Sequence, residues 1–516
     1  MEAFDLGGLT ARRTMVAAAA ILLAYTLINP VGFLGGGMDD WHYLDAARCW
    51  VAHGPCLPYD HWQARWPLVG AMAMAMRLFG ENRFSVGLPS LLATIACVPP
   101  LAMIGNRLFA PPVGFGAMLI FLLVPSVAVE LTDPNVEIIE FALLAWGFLA
   151  LITARDNPQI RWPIVAGLLF ALAFQTRETA IVPIVAAGVW ALRAIPRERR
   201  WRVAALGAAA FAVPLLVEFA AFVRLTGDPL YRRTLAMHHV LVPSTQLKGP
   251  IDDHSPPFFN PNFIANWRHE PGVHVHWAVD GLVNFLANSR AGIAQWAAPL
   301  LLLLFGGQVE RTERRGAWIA IAVGLAIAAG FIYALAIDPK PRMLYAPIAL
   351  CSMALAVALI ALERAGKVLI ARTIAAVLVG NALFGVAGMQ EVRGAEPVAA
   401  GWISRLPGRI AIDPTTRRHL ALVPSAERLP DPGGAENLLL IKLDMRCERW
   451  LDLTGLDRAG WTVAARSPLN VVPLLSLQLG RELCLFDAHR SIDARTFERA
   501  HDRVGIAQMK RGVVAL

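Results

Sequence analysis

Two carboxylates stand side by side at Asp39 and Asp40, in the stretch GGGMDDWHYLDAA that begins at Gly35. Adjacent acids repel each other and resist burial near lipid. They suit one of two roles: solvated acids at the start of a loop, or a carboxylate held at a surface to take a proton. His42, Tyr43 and Asp45 follow at once, and Arg65 and Pro67 come next in QARWPLVGAMAMAMRLFGEN. A second acidic group occupies VELTDPNVEIIE, where the spacing of Asp133, Glu137 and Glu140 puts them on one helical face. Thr132 or Asp133 can cap that helix, and Pro134 suits its first turn. Glu140 would then lie about one turn inside an apolar segment, and an acid so placed points to function. Cations recur near the ends of apolar runs. Arg177 adjoins Glu178 in FQTRETAIVP, either as a plain ion pair or as a surface cation. Arg342 and Tyr345 lie three apart in DPKPRMLYAP. Arginine forks bind phosphate in bidentate fashion and stay charged at every physiological pH. His274 and His276 would share a strand face in a His-rich loop, but no third ligand stands out and a structural role is favoured. The chain shows no phosphate-binding Gly-rich loop, nucleophile elbow or metalloprotease helix, so no cofactor is expected and no metal is indicated.

The elements that must position these groups are membrane helices. Of 516 residues, 56% are hydrophobic and 17% charged, and mean hydropathy is +0.51. Soluble domains carry about a quarter charged residues. Apolar segments fall near 15–34, 85–105, 113–131, 136–153, 162–176, 179–193, 203–223, 291–307, 316–336, 344–363 and 369–388; most are close to the roughly 20 apolar residues a span requires, and the shorter pair at 162–193 is interrupted by TRETA. The expected fold class is therefore an all-α polytopic membrane protein with about eleven spans. The amphipathic run after Arg65 is too short to cross and reads as a helix lying in the interface.

Lys and Arg fix the orientation. With the N-terminus inside, alternate loops hold Arg12 and Arg13, Arg107, Arg155 and Arg161, RAIPRERRWR, ERTERR, and Arg364 with Lys367 and Arg372. The net charge of +8 is thus a topology signal and calls for no nucleic-acid partner. The first span lacks a small-residue cleavage site and reads as an uncleaved anchor. The outer side then carries the loops 35–84, 224–290 and 336–345 and a tail, 389–516. RIAID, NLLLIKLD and ARTFERAHDRV in that tail predict a small α/β domain. A transmembrane domain 1–388 and an extracytoplasmic domain 389–516 follow. All 12 histidines fall on the outer side. Cys49 with Cys56, and Cys447 with Cys484, are placed where disulfides could form, although spacing alone does not prove them. Cys97 and Cys351 lie in spans and read as core residues.

In this order the motifs resemble those of the integral-membrane glycosyltransferases of the C fold superfamily. The pattern is similar to that of protein O-mannosyltransferases and lipid A aminoarabinose transferases, most strongly over 15–190 and more weakly over 336–347. Asp39, Asp40 and Tyr43 stand where the family has an acidic pair followed by an aromatic residue, with Asp40 replacing a Glu. RWPL stands for the family's KPPL, which puts Arg65 in place of its Lys. FGENRFSVGLPSLLA resembles FGEN-x-x-ALRLPSAL, with Gly87 in place of an Arg. TDP at 132–134 matches the second acidic loop, and Arg177 matches a basic residue that starts the sixth span. The resemblance implies transfer of a sugar from a polyprenyl-phosphate donor to a hydroxyl or similar acceptor on a lipid, glycan or protein, at the outer face of a plasma (inner) membrane and among its lipids. Because phosphate is a competent leaving group, one base suffices. Asp39 is expected as that base with Asp40 orienting, and Arg65, Arg177, Arg342 and Tyr345 as the donor-phosphate site. His42, Tyr43, Asp133 and Glu137 are expected to support the acceptor side. A polysaccharide ligase or polymerase is the nearer rival. A lipid or sugar flippase should show paired repeats or broken helices, and none is visible in the sequence.

Reporter fusions at Arg200 and Gly434 should give opposite signals, cytoplasmic at the first and extracytoplasmic at the second. Equal signals would overturn the orientation.

Overall fold

The computed structural model of the chain describes residues 11–28, 38–241, 280–335, 340–389, 394–433, 436–443, 445–469, 471–472, 477–478 and 480–489. Gly35–Gly37, His274 and His276, most of the 224–290 loop and the helix expected at 494–504 lie outside them.

A helix occupies each of the eleven apolar segments at least in part. Among the described residues, five of these helices are long and apolar enough to cross a membrane: Arg83–Leu108, Val136–Asp156, Arg197–Thr226, Arg311–Ala334 and Pro341–Arg364. The chain is thus a mostly helical, multi-pass membrane protein. In chain order the first helices are α1 (Ala11–Ile28), α2 (Met38–His53), α3 (Trp66–Phe79), α4 (Arg83–Leu108), α5 (Pro111–Leu122), α6 (Pro125–Glu130), α7 (Val136–Asp156), α8 (Arg161–Thr176), α9 (Ile181–Ala194), α10 (Arg197–Thr226) and α11 (Tyr231–Leu241).

Local chemistry sets several boundaries that matter for function. Pro67 in the first turn starts α3 directly after Arg65, and at 14 residues this helix is about 21 Å long, too short to cross a core of about 30 Å. It buries Leu68, Val69, Met72 and Met76 and leaves Met74, Leu78 and Phe79 exposed. Asn82 opens α4 with a reciprocal capping box to Ser85. The cap of α7 differs from expectation. Asn135, in extended conformation, accepts from the Ile138 amide, so Thr132 and Asp133 stay in the preceding turn and Pro134 lies outside the helix. The apolar stretch 162–193 divides into α8 and α9 at a 3₁₀ turn, Glu178–Ala180, and Arg177 sits at the break. The Arg311–Ala329 helix ends in a π-helical turn, Gly330–Ala334, a feature frequent beside functional sites.

The Tyr345–Arg364 helix is buried almost throughout. It forms the centre of the main core with α5, α7 and the Ala294–Phe305 and Arg311–Ala329 helices. α4 and α5 approach so closely that no side chain fits between them. A Cβ on Gly114 would meet the Ala102 carbonyl at 2.1 Å and the Asn106 nitrogen at 2.6 Å.

The C-terminal region is a small α/β unit. Strands β1 (Ile410–Ile412), β2 (Leu438–Leu443), β3 (Thr462–Pro468) and β6 (Glu482–Asp487) form a sheet in the order β1-β2-β6-β3. β1 runs parallel to β2, and the other pairs are antiparallel. Val471–Val472 (β4) and Leu477–Gln478 (β5) make a separate two-stranded ribbon. Both cysteine pairs that the sequence left open are bonded, Cys49 to Cys56 and Cys447 to Cys484, and Cys97 and Cys351 are free and buried.

Gly114→Ala should lower the thermal midpoint, because backbone atoms cannot yield cheaply and overpacking costs about 1–3 kcal/mol. Gly188→Ala, which meets nothing within 4 Å, should leave the midpoint unchanged or slightly raised. Equal midpoints for the two variants in a melt of detergent-solubilised protein would refute the close α4–α5 contact.

Candidate active site

The acids and cations predicted from separate segments come together around Glu137. Its position two residues after the Asn135 cap places it on the first turn of α7, buried. Glu137 Oε1 accepts from Arg177 Nη1 at 2.9 Å and lies 3.5 Å from Arg342 Nε. Arg342 reaches Asp39 through its other arm, with Nη2 3.5 Å from Asp39 Oδ2. One guanidinium therefore joins the acid of α7 to the acid that opens α2. Arg65 is also buried; it donates to the Tyr43 hydroxyl and lies 5.5 Å from that ring's centroid. Burial opposes its charge, and the carboxylates of Glu137 and Asp39 sustain it.

Tyr345 departs from expectation. Pro341–Leu344 forms a 3₁₀ turn, and Tyr345 begins the following α-helix. Its hydroxyl donates to the Ser126 carbonyl at 3.3 Å, and its ring packs on Phe121 and Phe141. Tyr345 lines the cleft as a wall. Asp133 is half-buried in the turn before Asn135, and the bridge to the cations runs through Glu137 instead. His42 pairs with Asp60, Nδ1 to Oδ2 at 2.6 Å, and stacks on Trp62 with ring centroids 4.5 Å apart.

Arg177 and Glu178 do not pair with each other. Glu178 binds Arg232 of α11, a residue that the sequence reading missed together with Glu218. Arg232 also donates to Glu218 Oε1 at 3.0 Å, to the Ala64 carbonyl at 3.0 Å and to the Gln175 carbonyl at 2.6 Å. Gln175 in turn donates to Glu218 Oε2 at 2.7 Å. This buried cation grips the chain next to both Arg65 and Arg177. Glu218 lies within the apolar helix α10, and an intramembrane acid was the available signal.

Behind Arg342 and Glu137 lies a narrow cleft of about 10 Å³, roughly the room one water molecule needs. Its inner walls are Phe141, Leu144, Pro183 and Phe331, and Glu140 lines it too. One guanidinium, Arg342, thus lies beside apolar side chains, a juxtaposition that suits the head of an anionic amphiphile.

The C-terminal unit sits against the acidic helix. Arg48 of α2 donates to the Ala421 carbonyl at 2.8 Å and to Glu427 at 3.1 Å, and it holds Glu81 as well. Ala421 and Leu422 join the cluster around Tyr43, Leu44 and Leu68. The Arg418 guanidinium lies 5.9 Å from the centroid of the Trp41 ring.

Residues 67–222 match the family model described as dolichyl-phosphate-mannose-protein mannosyltransferase. No curated protein sequence matches the chain. Among solved structures, the Archaeoglobus fulgidus oligosaccharyltransferase in complex with zinc and sulfate is similar at 14% identity and a TM-score of 0.50, over 86% of this chain and 69% of that one. The Archaeoglobus fulgidus oligosaccharyltransferase AglB, in complex with an inhibitory peptide and a dolichol-phosphate, gives 14% and 0.50 over 89% and 73%. ArnT from Cupriavidus metallidurans in the apo state gives 13% and 0.39 over 92% and 97%. The fold is that of the integral-membrane C-type glycosyltransferases, as the sequence resemblance implied.

Burial and the adjacent Asp39 charge push the Asp40 carboxyl up to about 7, against the pull of Arg342 and of Lys442 from the C-terminal sheet. A carboxyl whose pKa is higher folded than unfolded holds its proton in the native state between about pH 4 and 7. Stability therefore falls as pH rises through that window. Thermal midpoints measured from pH 5 to 8 should decline more steeply for the wild type than for Asp40→Asn, and the variant should be the more stable above pH 7. Parallel profiles would show that Asp40 carries no such burden.

Proposed function

We propose that this protein is a membrane glycosyltransferase that moves a sugar from a polyprenyl-phosphate donor to an acceptor hydroxyl on a lipid, glycan or protein. The observation that carries this reading is the Arg342 bridge. The guanidinium that would hold the donor phosphate also touches Asp39, so the leaving group and the acid pair would meet at one point, beside the apolar side chains Phe141, Leu144 and Phe331. Support for a lipid-linked donor comes from the dolichol-phosphate complex of the archaeal relative and from the mannosyltransferase family match.

In the proposed reaction the polyprenyl tail follows Phe141, Leu144 and Phe331, and the phosphate lies against Arg65, Arg177 and Arg342. Asp39 takes the proton of the acceptor hydroxyl as that oxygen attacks the anomeric carbon, which inverts the configuration. The bond to the phosphate oxygen breaks, and the charge gained there is met by guanidinium groups already in place. Glycosidases need a second carboxyl to protonate an alcohol leaving group; phosphate leaves without one. Asp40 is assigned to orienting Asp39 or the acceptor, and Glu137 holds Arg177 and Arg342 in position between turnovers. The proposed setting is a plasma (inner) membrane with the N-terminus cytoplasmic and the 389–516 domain outside.

With purified protein and a polyprenyl-phosphate sugar, Asp39→Asn should lower turnover about a hundred- to ten-thousand-fold, the usual range for loss of a general base, while the protein stays folded in the membrane. Asp40→Asn should lose less. Near-normal turnover by Asp39→Asn would remove its assignment as base, and an inactive Asp40→Asn beside an active Asp39→Asn would exchange the two roles.

A further inference from the structure

The C-terminal unit brings to the acidic helix a second group of titratable side chains that the proposed transfer leaves unused. His419 ends the helix Pro414–His419, which rests against α2. Both of its ring nitrogens are buried and have no hydrogen-bond partner among the described residues. A neutral imidazole offers one donor and one acceptor, and leaving buried polar groups unmatched is costly enough that native structures rarely do so without a ligand or a functional reason.

The surroundings of His419 are cationic. Lys442 of β2 pairs with Leu483 of β6 and shares its sheet face, and Arg481 lies just before the first residue of β6, at the same end of the sheet. Leu440 and Leu483 on that face pack with Leu420, which directly follows His419. The Lys442 amide donates to Thr416 Oγ1 at 2.8 Å, which fixes the strand against the helix. Burial first, then the charges of Lys442 and Arg481, hold His419 well below the usual histidine range. The turn carrying Arg290 packs against α6 and Pro341–Leu344, and burial and the like charge of Arg481 push the Arg290 guanidinium down. Lys442 acts on Asp40 as well, so the cluster adjoins the acid pair. Like charges gathered around an unsatisfied imidazole are relieved by an anion, which offsets the repulsion and accepts a hydrogen bond from the ring.

We propose that His419, Lys442 and Arg481 form an anion subsite that holds an acidic group, phosphate or carboxylate, carried by the acceptor. This rests on the glycosyl-transfer reading above, in which the donor phosphate already has its own cations at Arg65, Arg177 and Arg342. An acidic anchor on the C-terminal sheet would hold the acceptor beside Asp39 and Asp40 without occupying the donor cleft. The membrane domain would then select the donor, and the C-terminal unit would select acceptors by charge.

The test uses the full chain in phosphatidylcholine nanodiscs with inorganic phosphate as the probe, bound phosphate being counted by equilibrium dialysis. Two phosphates should bind per wild-type chain, and one should remain in Lys442→Gln/Arg481→Gln. His419→Gln should weaken that second phosphate about tenfold, the loss expected for one charge-assisted hydrogen bond. If the double variant fails to fold, Lys442→Gln alone, at a half-exposed position, supplies the same comparison. An unchanged phosphate count in a folded variant overturns the subsite. If the second phosphate is displaced when phosphatidylglycerol replaces a third of the phosphatidylcholine, the occupant is a lipid headgroup and the acceptor assignment falls. Arg177→Ala should remove the other phosphate; if it does not, the donor-site reading fails while the C-terminal subsite stands.

Discussion

The structure turns on a carboxylate placed between two guanidinium groups. Glu137 is buried, and its partners Arg177 and Arg342 come from a helix break and a 3₁₀ turn far apart in the sequence. Removing one member of a buried ionic group leaves the others uncompensated and is strongly destabilising, so the three must be placed together. That requirement reaches outward. The Asn135 cap sets the depth of Glu137, the interruption between α8 and α9 delivers Arg177, and the turn at Pro341–Leu344 brings Arg342 within reach of Asp39. An anion arriving at Arg177 and Arg342 meets two cations of which Glu137 offsets only part of the charge.

Arg232 provides a second tier. It lies on α11 yet bonds α10, the turn after α8 and the Ala64 carbonyl. Lysine offers three donors from a point and could not match this planar set. The positions of Arg65 and Arg177 are thus referred to one common anchor, which limits how far either cation can drift from the phosphate of the proposed donor.

Much of this was legible in the sequence because the signals were local. An adjacent acid pair, an amphipathic run too short to span and arginines at the ends of apolar segments each declare themselves within a few residues. Side-chain direction was less legible. Arg177 and Glu178 are neighbours in sequence, but the helix ends at Thr176 and the two point to different partners. Arg342 and Tyr345 would share a face in a continuous α-helix, but the 3₁₀ turn rotates Tyr345 to Ser126. Arg232 and Glu218 were hidden by separation: one sits in a mixed-charge loop, the other in a span, and only packing joins them. The C-terminal strands were readable from RIAID and NLLLIKLD. Their seat on α2 was not, because it depends on single contacts such as Arg48 with Glu427.

That contact has a consequence for how the protein is made. Arg48 and Glu427 are 379 residues apart. At roughly 5–20 residues per second, α2 waits about 20–75 s after synthesis for the segment that covers it. During that interval Arg48 lacks two of its acceptors, and the hydrophobic patch around Tyr43 lacks Ala421 and Leu422. The acid pair is thus among the first parts of the site to be made and among the last to be completed. A nascent chain halted between residues 342 and 421 would carry the acids, the interfacial helix and the cations of the proposed donor site, yet its acidic helix would still be open to solvent on the side where the C-terminal unit belongs.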